Sequence, residues 1–122
     1  NGDDKNFCVV DAAMNDLLRP SIYQAYHHIQ PTKKFNDRKN NVADIVGPIC
    51  ESGDYLARER EITESNSGEL LAVMSAGAYG MVMSSNYNAR RRPAEILVDR
   101  NKYSVIRSRE TFDHLIWDEN IV

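Results

Sequence analysis

Apolar positions fall in short blocks separated by polar stretches, and the blocks are too short for long helices. Phe7-Cys8-Val9-Val10 is an uninterrupted apolar run that predicts a short buried strand. Met14, Leu17 and Leu18 lie at i, i+3 and i+4, which predicts a short helix over Ala12–Leu18, with Asp11 as its N-cap and Pro20 as its stop. Ser21–Gln30 reads as a strand, and in an extended chain the even spacing of Arg19 and Tyr23 puts both on one face. A polar loop over Pro31–Asn41 leads to a strand over Val42–Ile49. Tyr55–Glu61, with mixed charge, reads as a helical turn, and Ser65–Gly68 as a turn. Leu70–Met74 is an apolar strand, interrupted by Gly77-Ala78-Tyr79-Gly80, after which Met81–Ser84 resumes β-like character. Ala94–Asp99 and Tyr103–Arg107 read as a hairpin turning at Arg100-Asn101. A last helix follows, capped by Ser108, with Phe112, Leu115 and Ile116 on one stripe. The polar Asn1–Asn6 segment reads as a frayed end. Together these elements predict a mainly β fold, an antiparallel Greek-key-like β-barrel or sandwich with a few short helices, in a single domain spanning residues 1–122.

Composition narrows the class. The 122 residues are 42% hydrophobic and 27% charged, ordinary values for a soluble globular domain. No apolar run approaches a membrane span, and no secretory signal is visible, so no membrane partner and a cytoplasmic location are expected. The formal net charge of −3 argues against bulk nucleic-acid binding. Cys8 and Cys50 allow one disulfide but no disulfide framework; reduced thiols are expected.

The stretch Gly47-Pro48-Ile49-Cys50-Glu51-Ser52-Gly53-Asp54 combines a thiol and a carboxylate in a polar loop that ends a β-like run. A scaffolded loop of this kind is where chemistry concentrates. By itself each residue has a plainer reading: Cys50 as a buried structural cysteine, Arg19 and Glu51 as surface ion-pair residues, Tyr23 and Tyr79 as core aromatics. Asp54 reads equally as an organiser of the Cys50 loop or as an ordinary turn carboxylate. His27 and His28 alternate faces if extended and His114 is remote, so no metal site is expected. Arg90-Arg91-Arg92 reads as a solvated loop.

Three motifs in order change these odds: Val10 through Tyr23, Gly47 through Asp54, and Ala76-Gly77-Ala78-Tyr79-Gly80 through Ser84-Ser85-Asn86-Tyr87-Asn88. They resemble the C-terminal part of the diaminopimelate decarboxylase family, alanine-racemase-like enzymes of fold type III, over about Phe7–Asp99. Related ornithine and arginine decarboxylases typically carry Asp where this chain has Glu51, which favours the diaminopimelate reading. The family often has a proline between arginines where this chain has Arg90-Arg91-Arg92.

The resemblance implies a dimeric carboxy-lyase of lysine biosynthesis. Its pyridoxal 5'-phosphate sits on an α/β barrel that precedes the β-domain. A barrel takes about 250 residues, so it cannot lie within this chain, and the missing N-terminal barrel is the first implied partner. The lysines Lys5, Lys33, Lys34, Lys39 and Lys102 all sit in polar contexts unlike a reactive amine. The chain alone is therefore expected to be inactive and to hold no cofactor tightly. In the full-length enzyme the resemblance makes Cys50 the proton donor, supplied across the homodimer interface. It makes Arg19 and Tyr23 the grip on the distal carboxylate of the small-molecule substrate, Glu51 the partner of its distal ammonium, and Tyr79 a contact to substrate and cofactor. The alternatives are an ornithine- or arginine-type decarboxylase, and a non-catalytic β-module that mediates association.

Overall fold

The computed structural model of the protein describes residues 5–122, so most of the expected polar end lies outside the described residues. The fold is mainly β. Strands β3 (Asn40–Val46) and β4 (Tyr55–Thr63) form a long antiparallel pair, and β1 (Phe7–Val9) adds to β3 in parallel. β2 (Ile29–Pro31) pairs with β5 (Leu71–Val73), and β6 (Glu95–Asp99) with β7 (Lys102–Arg107), both antiparallel. Three short helices complete it: α1 (Arg19–Tyr23), α2 (Gly80–Met83) and α3 (Phe112–Ile116).

The core is made where β3 and β4 turn their apolar faces inward. Ala43, Ile45, Leu56, Ala57 and Ile62 pack with Leu17 and Ile29, and Ile45 is 1% exposed. Asp44, buried between them in sequence, has its own task. Glu59 takes a left-handed φ of 47°, and its freed N–H donates to Asp44 Oδ1 at 2.7 Å. Lys5 Nζ lies 3.1 Å from Asp44 Oδ2. Burial pushes the Asp44 carboxyl up, but the Glu59 amide and the Lys5 ammonium outweigh it and hold it below the usual range.

Several elements differ from the sequence expectation. Ala12–Leu18 is a run of turns, and the helix begins at Arg19 instead. Pro20 therefore opens a helix rather than stopping one; in the first helical turn its missing N–H has no partner to lose. The Ser21–Gln30 segment is helical to Tyr23, breaks at Gln24 with φ 53°, and becomes strand only at Ile29. Tyr55–Glu61 is strand, because cross-strand pairing with β3 overrides the helical look of its charges. Met81–Ser84 belongs to α2 and the turn that ends it. Thr111, not Ser108, precedes α3, and its N–H donates to His114 Nδ1 at 2.9 Å. β1 is a strand, but Phe7 and Val9 are exposed and only Cys8 turns toward the core. The hairpin turn at Arg100-Asn101 is as expected, with Asp99 paired to Lys102. Among the described residues no helix is long and apolar enough to cross a membrane.

Candidate active-site face

The Cys50 loop is built around Asp54. This carboxylate is buried, and its two oxygens accept backbone N–H bonds from the distant Met14 at 2.7 Å and from Ile49 in its own loop at 2.6 Å. The Gly47 N–H also donates to the Asp54 carbonyl at 3.1 Å, closing the loop. Gly47 is required here. A Cβ on it would lie 2.4 and 2.6 Å from the Asp54 carboxylate oxygens and 2.8 Å from the Ala12 carbonyl. Gly53 plays the same part against α1, since its Cβ would meet Ser21 Oγ at 2.7 Å. The loop is thus bonded to the Met14 turn and pressed against the helix that carries Arg19 and Tyr23. Of the two readings open for Asp54, the organiser is the one the geometry bears out.

The chemistry-bearing side chains point outward from this frame. Cys50 is a free, exposed thiol, whereas Cys8 is half-buried and burial pushes its thiol up. The two cysteines are unbridged. Glu51 is exposed, with Oε1 accepting the Gly53 N–H at 3.3 Å and Oε2 accepting the Tyr87 hydroxyl at 3.4 Å. Arg19 is half-buried, and its guanidinium carbon lies 5.6 Å from the centroid of the Tyr79 ring, within cation–π range. Tyr23 and Tyr79 are 64% and 61% exposed. Helical rather than extended backbone now relates Arg19 and Tyr23, and four residues along a helix also share a face. Tyr79 takes φ 68°, a left-handed conformation costly for a residue with a side chain, and it starts α2 there. A Cβ at Gly77 or Gly80 would meet nothing within 4 Å, so crowding within this chain is not the reason for either glycine.

The structure brings Arg19 to Tyr79, and the Glu51 loop to α1 through Ser21. It does not bring Cys50 into hydrogen-bond contact with Arg19, Tyr23 or Tyr79. A recess of about 560 Å³ between β1, β5 and the Ser65–Leu71 segment contains none of the five site residues. Cys50, Glu51, Tyr23 and Tyr79 are exposed and Arg19 is half-buried.

The residues present fit only an edge of a pyridoxal phosphate site. Tyr79 offers a ring and a hydroxyl. All five lysines are exposed, and Lys5 is paired with Asp44 on β3. Among the described residues no group of three or more His, Cys, Asp or Glu is arranged for a metal ion; His27 is buried and His28 exposed, on opposite faces.

Sequence reasoning missed two features. Arg90 Nε donates to the buried Asn15 Oδ1 at 2.9 Å and Arg90 Nη2 to the Asp11 carbonyl at 2.5 Å, tying residues 11–15 to the loop after α2. Arg92 pairs with Glu110 at 2.7 Å, and Arg91 lies 4.3 Å from the Phe112 ring centroid. The arginine run is thus a set of structural ties rather than a solvated loop. The second is Tyr87, which was quoted only within a motif; its contact with Glu51 joins residues 36 apart in sequence.

These features place an outward thiol–carboxylate loop on a small sheet domain. Residues 1–77 match the family described as "Pyridoxal-dependent decarboxylase, C-terminal sheet domain", and the chain belongs to that family. It is 60% identical over 112 residues to a diaminopimelate decarboxylase of Aquifex aeolicus, covering 92% of this chain and 26% of that protein. It is 54% identical over 118 residues to the diaminopimelate decarboxylase of Neisseria meningitidis serogroup B, covering 97% of this chain and 28% of the relative. The solved diaminopimelate decarboxylase of M. jannaschii in complex with L-lysine superposes with a TM-score of 0.93 at 39% identity, covering 100% of this chain and 28% of that one. The chain therefore spans about a quarter of the length of the relatives it matches.

Proposed function

We propose that residues 1–122 form the single C-terminal domain of a longer pyridoxal-phosphate-dependent diaminopimelate decarboxylase, which converts meso-2,6-diaminopimelate to L-lysine and CO₂ in the cytoplasm. The observation that carries the reading is the Gly47–Asp54 loop. Its buried carboxylate holds the loop to the Met14 turn with one oxygen and to its own Ile49 amide with the other, leaving Cys50 and Glu51 exposed. A frame so fixed, presenting an exposed thiol and a carboxylate with lone pairs to spare, suits a substrate supplied from elsewhere.

In this reading pyridoxal phosphate, held by a preceding barrel domain, acts as the electron sink for loss of CO₂. Cys50 holds the proton that the substrate's α-carbon receives afterwards, and it reaches the centre of the partner subunit in a homodimer. Arg19 binds the distal carboxylate with two N–H donors while the Tyr79 ring limits where its guanidinium can go. Tyr23 adds a hydroxyl donor from the same helical face, and Glu51 accepts from the distal ammonium. Tyr79 borders substrate and cofactor. An analogue without the distal carboxylate leaves Arg19 and Tyr23 unpaired and is rejected.

The test is substrate competition on the full-length enzyme. Preference for meso-diaminopimelate over ornithine and arginine is expected, together with no turnover by the 122-residue chain alone. Preference for ornithine overturns the assignment of Arg19 and Glu51.

A further inference from the structure

We propose that Tyr87 is a positioning residue for substrate recognition: its hydroxyl sets the orientation of the Glu51 carboxylate toward the distal ammonium. The inference rests on the proposed decarboxylase reading and adds a residue to it.

The Glu51 carboxylate is held by one donor on each oxygen, the Gly53 N–H on Oε1 at 3.3 Å and the Tyr87 hydroxyl on Oε2 at 3.4 Å. Each carboxylate oxygen offers two lone pairs, so both keep one for a ligand. Two donors on opposite oxygens define the plane of the group, whereas the Gly53 bond alone leaves it free to swing. Gly53 and Glu51 belong to the same turn and move together. Among the described residues, Tyr87 is the one donor to this carboxylate that comes from outside the loop.

The donor from outside is itself firmly placed. The Ser85 N–H donates to the Asn15 carbonyl at 3.0 Å, and Ser85 Oγ accepts the Tyr87 N–H at 3.3 Å. Asn86 Nδ2 donates to the Arg90 carbonyl at 2.9 Å and to Glu110 Oε2 at 2.6 Å. Arg90 returns to Asn15, which is 2% exposed. The turn Tyr87–Ala89 is thus bonded on both sides to a buried asparagine and to the segment before α3. Met14, whose amide bonds Asp54, lines the same open recess as Tyr87, together with Asn15, Leu18 and Ser85. The frames that carry Glu51 and Tyr87 therefore share the Met14–Asn15 turn, and the distance between the two side chains is set by that turn. Long hydrogen bonds of this kind in an open site are ones that tighten when substrate binds.

The test uses the full-length enzyme with Tyr87→Phe, Glu51→Gln and the double variant. Phe keeps the ring and removes only the hydroxyl, and an unchanged melting temperature checks the fold. Tyr87→Phe is expected to raise KM for meso-diaminopimelate about three- to tenfold with kcat within about twofold. The double variant is expected to match Glu51→Gln alone, because the hydroxyl acts only through that carboxylate. Inhibition by 2-aminopimelate, which has hydrogen where the distal amine would be, is expected to be the same in wild type and Tyr87→Phe. A wild-type KM in Tyr87→Phe while Glu51→Gln is impaired overturns this inference and leaves the decarboxylase reading intact. So does a Tyr87→Phe loss that multiplies onto that of Glu51→Gln, or one that extends equally to 2-aminopimelate. If Glu51→Gln itself leaves KM unchanged, the role of Glu51 falls, and that of Tyr87 falls with it.

Discussion

The front of the molecule, β1 to β5 with α1, and the back, β6, β7 and α3, are held by different forces. The front has the buried apolar cluster around Ile45 and a buried carboxylate, Asp54, that binds two segments at once. No residue of β6, β7 or α3 is buried. Val98, Tyr103, Val105, Ile106 and Trp117 are all more than half exposed, with Trp117 at 80%. The back is held by the β6–β7 ladder and by charge: Arg92 with Glu110, Arg107 with Glu95, and the Arg91 guanidinium on Phe112. Apolar burial gives a rigid base on which a loop can be placed accurately; exposed ion pairs alone contribute little. Of the candidate residues, Arg19, Tyr23, Cys50 and Glu51 belong to the front, and Tyr79 follows it at the start of α2.

Four measurements test that contrast, starting from the largest effect. Cys50→Ala in the full-length enzyme is expected to lower kcat about 10²–10⁴-fold with the fold intact. Unchanged turnover would make the face an association surface instead. Asp54→Ala leaves the Met14 and Ile49 amides without their acceptor, at about 1–3 kcal/mol for each amide left buried, read by denaturant unfolding. Ile45→Ala should cost about 2–5 kcal/mol, whereas Val105→Ala, at an exposed position, should fall within about 0.5 kcal/mol. Equal losses at these two sites would erase the distinction between front and back.

The smallest effect is a pH dependence at the back. Burial would raise the Glu110 carboxyl, but the Arg92 amide, the Asn86 side chain and the Arg92 guanidinium hold it at about 2. A depressed folded value stabilises the fold fully above the unfolded value of about 4.3, and the contribution is lost as pH falls through about 2. The protection of β6 and β7 amides, corrected for the intrinsic pH dependence of exchange, should fall on acidification in wild type. Glu110→Gln should show faster exchange at neutral pH and a flatter response to acid.

Much of the site was legible in sequence because short motifs kept their residue types and order. The Cys50-Glu51 pair, Arg19 with Tyr23, and Tyr79 between glycines could be singled out before any coordinates. The elements around them were less legible. Pro20 sits equally well after a helix or in its first turn, so residues 12–30 were divided in the wrong places. Arg58-Glu59-Arg60-Glu61 looks helical by charge, yet pairing with β3 and the Glu59 bulge make it strand. The tie from Arg90 to Asn15 joins residues 75 apart, and nothing local announces it.

By itself the sequence determined the mainly β class and the hairpin at Arg100-Asn101, and it singled out the candidate side chains, because these follow from residue type and near-neighbour spacing. Tertiary structure alone decided that Asp54 is the staple, that Gly47 must lack a Cβ, that the arginine run is structural, and that Tyr87 reaches Glu51. Each of these depends on a distance of a few ångströms between segments far apart in the chain, and such distances are set by packing rather than by local preference.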